Sequence, residues 1–135
     1  MSHDERAKTG SRKRLLIVDD DALMSALYRS IFRRHAAEFA CEFERSGEAA
    51  LERLGRESFD AVIMDWDLGG MSGLETLKAI RADPGMAELC VFLITGRFDA
   101  ESEELAFGAG VDDYASKPFA IDDLLARLRA FFQTR

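Results

Sequence analysis

The sequence predicts an α/β fold of five β–α units, with one parallel sheet covered by helices on both faces. Two observations carry this. Short apolar runs, Leu15-Leu16-Ile17-Val18 being the first, alternate along the chain with stretches of helical periodicity. The runs are continuously apolar rather than alternating, as strands buried on both faces are. At 135 residues the chain has the length of one domain with a real core.

The elements follow in order. Residues 1–13 are polar and without periodicity, which reads as a flexible tail, and the basic run Arg12-Lys13-Arg14 reads as its solvated end. The folded domain is taken as 14–135. After the first strand, Asp21 is placed to cap a helix whose apolar face would carry Leu23, Leu27 and Ile31. Phe39 to Phe43 forms a weaker strand. Ser46 and Gly47 open a short helix through Leu51 and Leu54, which Gly55 closes. Ala61-Val62-Ile63-Met64 is a second buried strand. Ser72 and Glu75 have capping-box spacing ahead of Leu74, Leu77 and Ile80, and Asp83-Pro84-Gly85 ends that helix. Val91 to Ile94 is the next strand, followed by a helix from Ala100 to Phe107 and a turn at Gly108 to Gly110. Tyr114 to Ser116 is a short last strand. Ile121, Leu124, Leu125, Leu128, Phe131 and Phe132 mark the clearest amphipathic helix. The pattern stops within one turn of it, so no output domain is expected.

Composition narrows the function. A formal charge of −7 argues against direct nucleic-acid binding, which needs Lys/Arg surfaces. No apolar run reaches the roughly 18 residues of a membrane span. Cys41 and Cys90 lack metal-ligand spacing, read as small core residues, and fit a reducing, cytoplasmic setting.

Reactive residues fall just after the apolar runs. Asp19-Asp20-Asp21 follow Val18, Asp65 follows Met64, Thr95 follows Ile94 and Lys117 follows Ser116. In an open parallel sheet the carboxyl ends of the strands share one edge, where ligands bind. A lone Asp there is usually a helix cap, and Asp21 reads as one. Together the set converges on one cleft. Three carboxylates meeting there need a cation, and all-oxygen donors favour Mg²⁺. Beside Lys117 and the Thr95 hydroxyl, such a site suits phosphoryl transfer, with Asp65 as the nucleophile that forms an acyl phosphate.

At these residues the sequence resembles the receiver domains of bacterial response regulators, of the chemotaxis-regulator (CheY-like) type. The matching motifs are LLIVDDD at 15–21, VIMDWDLGGMSGLE at 62–75, LITG at 93–96 and DYASKPF at 113–119. The resemblance implies a doubly wound (βα)5, flavodoxin-like three-layer sandwich with strand order 2-1-3-4-5. It implies that Asp65 accepts phosphate from the phosphohistidine of a sensor histidine kinase or a histidine phosphotransferase. Asp20 and Asp65 would ligate Mg²⁺ through carboxylates, Asp67 through its backbone carbonyl and Asp19 through water. Lys117 would pair with the acceptor. Thr95 would bond the phosphoryl group and Tyr114 would swing inward with it, though a plain core aromatic is the competing reading of Tyr114. The Lys117–Pro118 bond would be cis. Trp66, Gly96 and Arg97 would form the mouth of the pocket, with Trp66 a partly exposed loop aromatic.

The output protein is not named by the sequence, and neither the direction of any relay nor phosphorylation-dependent homodimerisation is settled by it. Two departures stand out: Gly69 where the family usually has proline, implying a looser loop, and Ala120 where Ser or Thr commonly caps the last helix. Asp67 and Arg97, each two residues beyond a pocket residue, are placed to form an ion pair across the mouth that hinders attacking water. A haloacid-dehalogenase-type phosphatase shares the order Asp-x-Asp, Thr, Lys. Its acidic metal pair follows the lysine, however, whereas Asp19-Asp20 come first here. A receiver belonging to a hybrid kinase is the remaining alternative.

Overall fold

A computed structural model describes residues 12–97, 99–117 and 119–134. Its elements are β1 (Lys13–Val18), α1 (Ala22–Arg33), β2 (Phe39–Glu44), α2 (Gly47–Leu54), β3 (Ala61–Asp65), α3 (Gly73–Ala82), β4 (Cys90–Thr95), α4 (Ala100–Gly108), β5 (Asp113–Ser116) and α5 (Ile121–Gln133). The strands form one sheet in the order β2-β1-β3-β4-β5, every pairing parallel. Crossover connections run to both sides of β1, so the order reverses between β1 and β3 and opens a crevice at their carboxyl ends.

The pleat splits the core into two layers. Leu16, Val18, Val62, Met64, Val91 and Leu93 face one way and pack with residues of α2, α3 and α4. Leu15, Ile17, Ala61, Ile63, Phe92 and Ile94 face the other way and pack with α1 and α5. Cys90 is buried and Cys41 half-buried, neither in a disulfide. Burial, with Glu42 adding, pushes the Cys41 thiol up to about 12, which keeps it an unreactive packing group.

The first strand begins one residue earlier than the boundary expected at 14. Lys13 pairs with Phe39, donates its N–H to the Glu38 carbonyl and lays its ammonium over the Phe132 ring. Arg14 is a fastener rather than a solvated end. Its guanidinium stacks on Phe59, donates to the Ser58 carbonyl and meets Glu57 at 2.9 Å. Residues 1–11 of the expected tail and the Lys117–Pro118 bond, which involves Pro118, lie outside the described residues.

Helix α1 buries a different face from the one its leucines suggested. Ser25, Tyr28 and Phe32 point inward, while Leu23 is 82% exposed and Leu27 49%. The two stripes are neighbours on the helix, and the aromatic one wins because it finds ring partners. Tyr28 stacks on Phe119 at 6.1 Å and Phe32 meets Phe39 edge-on at 5.8 Å.

The caps follow the sequence closely. Asp21, Ser46 and Asp99 accept helix N–H groups, and Ser72 and Glu75 form a complete capping box. Ala120 leaves the start of α5 without a side-chain cap. Replacing Ala120 with Ser is therefore expected to stabilise the domain by about 1 kcal/mol, read as a raised urea midpoint with an unchanged slope. No gain in midpoint would mean that the start of α5 is satisfied in another way.

Candidate functional site

The crevice at the carboxyl edge gathers the residues singled out from the sequence. Asp19 and Asp65 are buried, Asp20 is exposed, and ligand oxygens of all three lie within 4.8 Å of one another. Lys117 reaches in from the end of β5. Its Nζ lies 2.9 Å from Asp65 Oδ2 and 3.9 Å from Asp19 Oδ2. Both carboxylates nearest the core are braced by their own turns. The N–H of Asp21 donates to Asp19 Oδ1 at 2.9 Å, and that of Asp67 donates to Asp65 Oδ1 at 3.1 Å. Thr95, at the end of β4, is buried, and its Oγ1 accepts the Arg97 N–H at 3.0 Å.

The electrostatics match this crowding. Burial, with the charge of Asp65 adding, holds the Asp19 carboxyl above its ordinary range against the pull of the Asp21 N–H and Lys117. Burial works against the charged form of Lys117. The hydrogen bond and charge of Asp65, with Asp19 and Asp21, outweigh it, and the ammonium is held above its usual value. Hard oxygen donors at this spacing, with a buried carboxyl among them, fit a hard divalent cation.

Arg97 links three parts of the mouth. Its guanidinium meets Asp67 Oδ1 at 2.6 Å, so the ion pair expected from spacing is present, with 62% and 49% of the two side chains exposed. Its backbone N–H serves Thr95, and its carbonyl accepts the Tyr114 hydroxyl at 2.7 Å. Tyr114 is buried, so its ring already lies inward, and it belongs to the core layer of α2, α3 and α4. Gly96 is exposed beside Arg97.

Trp66 corrects an expectation. It is 8% exposed, packed in the same layer as Met64 and edge-on to Tyr114 at 6.1 Å. The β3–β4 ladder runs one residue beyond Asp65, with the Trp66 N–H donating to the Ile94 carbonyl. The two-residue period then turns Trp66 to the face of Met64 and away from solvent. The loop that follows is not left loose by Gly69. The Gly69 N–H donates to Asp20 Oδ2 at 3.2 Å and the Met71 N–H to Glu48 Oε2 at 3.2 Å.

Two contributors carried no sequence signal of their own. A Cβ on Gly73 would collide with the Asp65 carbonyl and the Trp66 backbone, so this glycine lets α3 close on the acceptor strand. Tyr28 lies beneath the acids. Burial, with the charges of Asp19 and Asp65 adding, pushes its phenol far above the ordinary value.

A family model, the response regulator receiver domain, matches residues 15–129. The chain belongs to this family. Receiver domains are the phosphoacceptor signalling domains of two-component systems. The chain is 37% identical over 123 residues to the response regulator MprA of Mycolicibacterium vanbaalenii, covering 89% of this chain and 50% of that one. It is 33% identical over 121 residues to the transcriptional regulatory protein CrdR of Helicobacter pylori, covering 90% and 55%. The receiver thus spans about half the length of these curated relatives. Among solved structures, a putative response regulator from Chloroflexus aurantiacus superposes with a TM-score of 0.81 at 31% identity, covering 88% of this chain and 96% of that one. The receiver domain of the sensor histidine kinase PA1611 from Pseudomonas aeruginosa, solved with magnesium coordinated in its active-site cleft, shares the fold. Its TM-score is 0.79 at 23% identity, over 88% of this chain and 96% of that one.

The raised Asp19 carboxyl makes a prediction about stability. It binds its proton more tightly in the folded state, so stability falls as pH rises from the ordinary value of 3.8 through the raised one. The cost is therefore greater at neutral pH than below pH 3.8. Asp19→Asn is expected to raise the Tm of the metal-free receiver by a few degrees at neutral pH, with the gain vanishing below pH 3.8. An unchanged or lower Tm at neutral pH would contradict it.

Proposed function

We propose that this receiver accepts a phosphoryl group on Asp65, with Mg²⁺, from the phosphohistidine of a sensor histidine kinase or a histidine phosphotransferase. The observation that carries the proposal is the Asp65 carboxylate. It is 6% exposed, held by Lys117 at 2.9 Å and grouped with the oxygens of Asp19 and Asp20.

The chain's residues divide the work. An Asp65 oxygen attacks phosphorus and forms a P–O bond. The P–N bond to the donor imidazole breaks, and the leaving nitrogen keeps the electron pair and takes up a proton. Lys117 balances negative charge on the acyl phosphate, and the Thr95 hydroxyl donates to a phosphoryl oxygen. Asp20 and Asp65 would hold the ion by their carboxylates, Asp67 by its carbonyl and Asp19 through water. Bound there, Mg²⁺ would neutralise the carboxylates and the charge that develops on the phosphoryl oxygens. When Thr95 turns toward the phosphoryl group, its bond to the Arg97 N–H is exchanged, and Tyr114 senses this through the Arg97 carbonyl. The surface formed by α4, β5 and α5 then carries the state to an output protein, or the phosphoryl group passes on in a relay. We place the receiver in a reducing, cytoplasmic setting, in which cysteines such as Cys41 and Cys90 stay as thiols.

Acetyl phosphate with Mg²⁺ is expected to add one phosphate by intact mass, and chelator or Asp65→Asn to abolish the gain. A phosphate gained equally without Mg²⁺, or by Asp65→Asn, would refute the assignment.

Hydrolysis needs water to approach phosphorus opposite the Asp65 oxygen, over the mouth spanned by Arg97 and Asp67. We infer that this pair slows it. Arg97→Ala should hasten dephosphorylation of the isolated phosphoprotein by roughly 2–5-fold, and high salt should narrow the difference by screening the exposed pair in the parent. Equal lifetimes for the two proteins would remove Arg97 from the account.

A further inference from the structure

We propose that the backbone N–H of Gly69 is a positioning group of the Mg²⁺ site, tying the loop after the acceptor to the acidic turn after β1. The inference rests on the Mg²⁺ reading above and concerns how the ligand set is held together before the ion arrives.

The three carboxylates are not held alike. Asp19 and Asp65 each accept an N–H from the residue two positions on, within their own turns, and each faces Lys117. Asp20 is exposed, and its carboxylate accepts one hydrogen bond among the described residues, from Gly69, 49 positions away. That bond joins the two loops that would share the ion. One carries Asp19 and Asp20, and the other follows Asp65 and carries Asp67.

Neither space nor backbone conformation explains glycine at 69. Positive φ falls on its neighbour Gly70, at 75°, and not on Gly69. A Cβ at 69 would meet only Asp20 Oδ2, at 3.8 Å, an ordinary contact. A side chain is therefore tolerated, and the feature used at this position is the N–H itself, which proline alone would remove. Past the turn at Gly70, the Met71 N–H donates to Glu48 of α2 at 3.2 Å. The loop is strapped on both sides, and Asp20 takes one of the straps.

Without this bond the exposed Asp20 side chain is free to rotate, and ordering it becomes part of the cost of binding the ion. The test compares Mg²⁺ titrations of the parent receiver, Gly69→Ala and Gly69→Pro by calorimetry and by the fluorescence of Trp66, the sole tryptophan. Thermal melts without metal confirm that each is folded. Gly69→Pro is expected to bind Mg²⁺ about 3–10-fold more weakly and Gly69→Ala within about twofold of the parent. A Gly69→Pro protein that binds like the parent overturns the proposal, as does a Gly69→Ala protein weakened to the same degree.

A second measurement does not depend on the proline variant folding. In the metal-free parent the Gly69 amide proton should resonate downfield and move upfield in Asp20→Ala. An unmoved resonance also overturns the proposal. If the parent binds no Mg²⁺, the metal reading fails and this role falls with it. In that case the amide shift still reports whether the tie to Asp20 exists.

Discussion

Three carboxylates are held with their oxygens within 4.8 Å of one another, and the ammonium of Lys117 meets two of them, Asp65 and Asp19. Left to themselves, such groups would separate or take up protons. Here they cannot separate, because each is fixed to the end of a strand whose register is set by burial on both faces. Two of them cannot be screened by water, because the core that holds the strands also covers them. The raised Asp19 carboxyl and the strengthened Lys117 ammonium are the two sides of that confinement. Such a site weakens the domain that carries it, and the apolar layers on either side of the sheet supply the stability that tolerates it. On the proposed reading, a divalent cation would relieve the repulsion, and a phosphoryl group would then find positive charge already arranged around Asp65.

At the same edge one residue, Arg97, touches three members of the proposed site. Arg97 touches Asp67 with its side chain, Thr95 with its N–H and Tyr114 with its carbonyl. On the proposed reading, a change at the acceptor that draws on Thr95 would reach Tyr114 through Arg97. That ring meets both Trp66 and Phe107 edge-on. With Tyr114 already inward, phosphorylation would act on a ring in place, shifting an existing balance.

Much of this was legible in the sequence because it depends on short-range rules. Continuous apolar runs marked the strands, the residue after each run marked the site, and Ser72 with Glu75 marked a helix start. The ion pair of Asp67 and Arg97 followed from equal offsets past adjacent strands. What the sequence concealed depends on partners met only in three dimensions. Helix α1 carries two apolar stripes, and nothing local says that Tyr28 and Phe32 will find rings while Leu23 and Leu27 stay outside. Trp66 was read as a partly exposed loop aromatic because the strand was read as ending at Met64, whereas its N–H still bonds the Ile94 carbonyl and its ring joins the core. Gly69 and Gly73 act through an N–H and through the absence of a Cβ. Arg14 looked like the end of a tail until Phe59 and Glu57 were seen beside it.

The proposed function requires that the confined carboxylate at the end of β3 be where phosphate is stored. Borohydride reduces an aspartyl phosphate to homoserine, and peptide mass spectrometry then reads the position. After phosphorylation by a phosphohistidine donor, the account predicts homoserine at position 65 and at none of the other aspartates, with Mg²⁺ required. Homoserine at position 19 or 20, or phosphate retained on a hydroxyl and untouched by reduction, would contradict it.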